Sequence, residues 1–104
     1  MDFAVAVINL VKQLRQQQEY IVSSQLGRSG TSVGANIHEA QFAQSKADFI
    51  TKLQISLKEA NESRYWLALL VKTNYLDEQQ YQTLDAACAS LVSMLVASIK
   101  TAKS

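Results

Sequence analysis

The sequence predicts an all-α protein, an antiparallel up-down-up-down four-helix bundle, on three observations. Proline is absent from all 104 residues, so nowhere does a missing backbone donor force a helix to stop. Apolar residues recur at spacings of three and four in successive segments, the period of one helical face rather than the alternation of a strand. Serine or aspartate stands just before two of those segments at the position that caps a helix. A composition of 48% hydrophobic and 18% charged residues belongs to a chain that folds around one core, read here as a single domain over residues 1–104.

The first helix is expected from about Asp2 to Gln17 or Gln18, with Phe3, Val7, Leu10 and Leu14 as its seam and Ala4, Ile8 and Val11 widening it. The segment QQQEYIVSSQ carries no breaker, so the second helix starts either behind a cap at Ser23 or Ser24 or nearer Tyr20. Leu26, Val33, Ile37 and Ala40 form its core row. The third helix starts behind Ser45, with Asp48 at capping-box spacing, and its seam runs Phe49, Leu53, Ser56, Ala60, Ser63, Leu67 and Leu70. Asp48 with Lys52 and Lys58 with Glu62 are spaced to pair along one face. Asn74 suits a left-handed residue past its end. Asp77 and Gln80 make a second capping box, flanked by Leu76 and Tyr81 as a hydrophobic staple. The fourth helix then runs to about Lys100 through Tyr81, Leu84, Cys88, Leu91 and Leu95, while Val92, Met94 and Ile99 exceed one stripe and point to a second buried face.

Ten Lys and Arg against nine Asp and Glu leave a net charge of +1, so no strong pull toward nucleic acid or anionic lipid is written into the composition. The single cysteine, Cys88, has no disulfide partner within the chain and reads as a small core residue. Asp2 stands where a secretion signal carries its basic residues, and Asn9 interrupts the short apolar run that follows, so a cytoplasmic protein without a membrane association is expected.

All three glycines fall in GRSGTSVGANIHEA, residues 27–40. A phosphate loop needs a strand before the glycines and a lysine after them, and neither is present. The spacing of Gly27, Gly30 and Gly34 is helical and puts all three on one face with Ser23, where a neighbouring helix could lie against bare backbone. A bulky residue at Gly30 or Gly34 is expected to disturb that packing. Ser29, Ser32, Asn36 and Glu39 form a polar stripe on the same helix, expected to fix helix packing or a subunit interface. His38 and Glu39 resemble half of a zinc-protease motif, but position 42 is Phe42 instead of the second histidine, and no metal or cofactor is expected. Ser29 or Ser32 with His38 and Glu39 fails as a nucleophile set because residues of one helix point in different directions. Catalytic residues and a small-molecule substrate are therefore not expected. Arg28, Arg64 and Trp66 are the candidate nucleic-acid contacts, since a guanidinium pairs with phosphate and an indole stacks on bases.

The stretches QLGRSGTSVGANIHEA and SKADFITKLQISLKEANESRYWLALL resemble the four-helix-bundle family encoded in intervening sequences of bacterial 23S ribosomal RNA genes. Gly27 and Ala40 depart from that pattern, where a bulkier apolar residue and a glycine are usual. The resemblance implies a bundle that assembles into a ring-like homopentamer, as does the similar accessory protein of diversity-generating retroelements. It places Arg28, Ser29, Ser32, Asn36 and Glu39 in the family's polar signature. The expectation is thus a non-enzymatic oligomeric module whose partner is a further copy of itself, with an RNA- or DNA-binding accessory role as the alternative.

Overall fold

The computed structural model describes residues 2–104. Four helices follow in order: α1 Asp2–Gln16, α2 Ile21–Ala40, α3 Lys46–Lys72 and α4 Glu78–Lys103. Cross-helix contacts fix their directions. Val11 faces Gly27 and Val7 faces Gly30, so α1 and α2 are antiparallel. Ser63 meets Ser29 while Ser56 meets Val33, and Arg64 meets Asp85 while Cys88 meets Ala60, so each later pair is antiparallel too.

The helix limits follow from local chemistry. The Ser45 and Asp77 side chains accept from the amides of Asp48 (3.0 Å) and Gln80 (2.7 Å), which satisfies donors otherwise orphaned at a helix start. Asn74 adopts φ 67° after α3, the left-handed conformation that an asparagine tolerates. The α1–α2 junction follows the second of the two expected starts, near Tyr20, and not the serine cap. Gln18 turns the chain at φ 62°, and the carboxylate of Glu19 then accepts from the amides of Val22 (3.2 Å) and Ser23 (2.7 Å). Ser23 itself is buried inside the helix, its hydroxyl donating to the Glu19 carbonyl at 2.8 Å. A negative side chain at a helix start is the favourable sign for the helix dipole, so glutamate does here what serine does elsewhere. At its far end α4 continues three residues past Lys100, to Lys103.

Phe3, Val7, Leu10 and Leu14 of α1, Leu26 and Val33 of α2, Ala60, Leu67 and Leu70 of α3, and Cys88 of α4 form one buried cluster, with Leu76 closing its end. Ala40, Leu53, Leu95 and Ile99 form a second toward the other pole. Ile8, expected to widen the seam of α1, is instead 46% exposed, and Met94, expected on a second buried face of α4, is likewise 46% exposed. Ile8 lies on the outer face of α1, and Met94 lines an open groove beside the tip of α1. The 15 residues of α1 span about 22 Å, against about 39 Å for the 26 residues of α4. The protein is therefore four helices thick at the pole holding the α1–α2 turn and three at the other.

Two of the glycines differ sharply in what they face. A Cβ on Gly30 would stand 2.8 Å from both γ-carbons of Val7 and 3.2 Å from its Cβ, whereas one on Gly34 would meet nothing within 4 Å. The expected close approach is thus present at Gly30, while inside the protomer Gly34 packs against nothing. Val7 is β-branched and fully buried, so it has no rotamer into which to retreat. Gly30→Ala should lower stability by about 1–2 kcal/mol, as overpacking exceeds the gain in helix propensity. Gly34→Ala should raise it by roughly 0.5–1 kcal/mol. Urea melts at low protein concentration check both signs.

Candidate functional site

The polar residues of the glycine stretch do not form one stripe. Ser29 is fully buried and faces α3, where the Ser63 hydroxyl donates to its Oγ at 3.0 Å. One turn away the Ser56 hydroxyl donates to the Val33 carbonyl at 2.7 Å. Ser63 is also within 2.9 Å of the Glu59 carbonyl. Small hydroxyls therefore line the α2–α3 contact and satisfy one another, and among the described residues no buried side-chain nitrogen or oxygen lacks a partner. Ser32 donates back to the Arg28 carbonyl (2.7 Å) and the Asn36 amide to the Ser32 carbonyl (2.8 Å), both at the edge of the helix. Glu39 is exposed.

Arg28 bridges the same two helices from outside. One nitrogen of its guanidinium lies 2.9 Å from Glu59 and the other pairs with Glu62. Glu62 also accepts from the indole N–H of Trp66 at 3.1 Å. Glu59 is 8% exposed, and Arg28 is the cation paired with it. Lys58, spaced to pair with Glu62, does not do so, because the forked guanidinium of Arg28 reaches two carboxylates at once. On the opposite side of α3, Arg64 holds Asp85 of α4 through two nitrogens at 2.8 and 3.1 Å. Hydrogen bonding to Asp85 raises the Arg64 guanidinium above its ordinary value, against the opposing effect of burial. Trp66 packs edge-on against Tyr65 with ring centroids 5.0 Å apart. All three candidate nucleic-acid contacts are thus already engaged within the protomer.

The hydroxyl, imidazole and carboxylate groups of the stretch are not brought together. Ser29 faces α3, while His38 is exposed and lies against Phe42 with ring centroids 5.2 Å apart. Cys88 is fully buried and its thiol donates to the Ala60 carbonyl at 3.2 Å. Burial pushes the thiol up from 9.0 to about 11, with Arg64 pulling it down and Asp85 raising it further. These are the contacts of a packing residue.

Sequence reasoning missed Glu19, Glu59 and Asp85. A signal for Glu59 was present: it falls between Ser56 and Ser63 on the buried row of α3, where a carboxylate requires a cationic partner.

Taken with the fold, these contacts define an all-α helical bundle whose polar side chains lock helix to helix. The profile of the family described as 23S rRNA-intervening sequence protein matches residues 1–97, and the chain belongs to that family. It is similar to a protein of unknown function from the S23 ribosomal protein family of Bacteroides thetaiotaomicron, with 50% identity, 95% of this chain and 93% of that one covered, and a TM-score of 0.93. No curated protein matches the chain.

Arg28→Ala leaves the buried Glu59 without its cation and should cost about 1–2 kcal/mol, between the values for an exposed and a fully buried pair because Arg28 is half exposed. Glu59→Gln in the same chain should recover part of that loss in denaturant melts. The folded thiol of Cys88 sits above its unfolded value, so the stability it contributes is complete below pH 9 and is lost as pH rises from 9.0 to about 11. Cys88→Ala should flatten that part of the stability profile. At pH 8, iodoacetamide should alkylate the native protein far more slowly than the denatured chain, because the fully buried thiol is both shielded and held in its neutral form.

Proposed function

We propose that this protein is a non-enzymatic, self-assembling four-helix module of the cytoplasm, with a homopentameric ring as its assembled form. The observation that carries the reading is apolar surface without a cover. The fold buries only 17% of an 18-residue apolar stretch of α4, a stretch long and apolar enough to cross a bilayer. Between the tip of α1, α2 and α4 lies an open groove of about 960 Å³ lined mainly by apolar side chains. Exposed apolar surface on this scale marks an interaction site. A number of five rests on the family resemblance.

The polar signature supports the non-enzymatic part. Ser29 is spent on the contact with α3 and Arg28 on two carboxylates, so neither is free to act on a substrate. Contact with RNA or DNA is the weaker reading, because Arg28, Arg64 and Trp66 would each have to leave an internal partner to reach a phosphate or a base.

Size exclusion coupled to light scattering at micromolar concentration tests the proposal. The expected mass is five times the 11.5 kDa of the protomer. A stable 11.5 kDa species would overturn it.

A further inference from the structure

The glycine row of α2 is a set of seats, and two of the three are filled from within the chain. Val11 fits at Gly27, with its γ-carbon 3.5 Å from where a Cβ would stand, and Val7 fits at Gly30. At the third, nothing lies within 4 Å of where a Cβ would stand, and Gly34 opens into the groove beside Phe3 and Ala4. Beside it the groove is bounded by Phe3, Ile37, Leu91 and Met94. Two carboxylates, Asp2 and Glu39, lie among its lining residues, with no lysine or arginine.

The outer face of α1 carries a row that matches. Val5 is 54% and Ile8 46% exposed, both β-branched like the two valines that fill the inner seats. Lys12 and Arg15 continue the row at spacings of three and four, so its second half is cationic. Val5 lies about 160° around α1 from Val7, so this row cannot reach the groove of its own protomer.

We infer that the row Val5, Ile8, Lys12 and Arg15 of one copy seats in the Gly34 groove of a second copy, its apolar half over Gly34 and Met94 and its cations toward Asp2 and Glu39. This rests on the self-assembly proposed above. Row and groove are different surfaces of the same chain, so the contact is head-to-tail and every protomer both offers and receives. It covers Met94 and part of the bare face of α4 without disturbing the internal core.

Two exposed substitutions separate the surfaces. Ile8→Glu sets a carboxylate on the row against an acidic groove, and Gly34→Arg fills the seat with a cation; both positions have room, so far-UV circular dichroism should match the parent. Each variant alone should sediment as a protomer, with self-association weakened at least tenfold. Mixed in equal amounts they should form a two-chain species, because one copy keeps its row and the other its groove. Lys12→Glu combined with Glu39→Lys should assemble more tightly than either single change.

If the parent assembles but both variants assemble equally well, or if the mixture stays at protomer mass, this contact is wrong while self-assembly stands. A parent that never assembles removes both. If the variants assemble normally yet lose binding to phosphatidylserine vesicles that the parent binds, the row serves a membrane and the inference falls.

Discussion

The contact on which the rest of the structure depends is the meeting of α2 and α3, made by serines rather than leucines. Ser29, Ser56 and Ser63 are each fully buried and each has its hydroxyl committed to a neighbouring oxygen. Small side chains let the two helices come close, but hydroxyls taken out of water tolerate only arrangements in which every one is paired. A leucine zipper could slide by a turn and still be greasy. A serine seam cannot, because a slipped register would strand buried donors. Arg28 reinforces the same register from outside, since its fork spans two carboxylates one helical turn apart on α3.

Once α2 and α3 are fixed, the other helices have little freedom. α1 is located by Val7 against Gly30, where backbone and side chain are already in firm contact. α4 is located by Arg64 with Asp85 at one level and by the Cys88 thiol on the Ala60 carbonyl about a turn away. Each outer helix thus takes its position from a specific polar or steric match to the inner pair, and hardly at all from its fellow outer helix, since α1 and α4 touch only sparsely.

The fold was legible because its signals are local and redundant. Period, the Ser45 and Asp77 caps and the Asn74 terminator each depend on a few neighbouring residues, and each is present in the structure. The α2 start was less so, because Glu19 caps through a longer side chain after a left-handed glutamine, a combination that resembles an ordinary polar helix end. The site was harder to read for a different reason. Separating Ser29 from Ser32, Asn36 and Glu39 required knowing which side of α2 meets α3, and the partners of Arg28 and Arg64 lie 21 to 34 positions away in sequence. No spacing rule reaches that far. Gly34 marks the same limit: its periodicity places it with Gly30, and only the three-dimensional course of α1, the shortest of the four helices, leaves it open.

That inequality of helix length gives the protomer a taper, with one pole broader than the other. Parallel-sided rods joined by a repeated lateral contact can add neighbours in a straight course without limit. Identical wedges joined in the same way turn by a constant angle at each addition, and the course bends back on its first member. In the ring proposed above, the angle between the two surfaces that meet, rather than the strength of any single contact, would set how many copies close the circle.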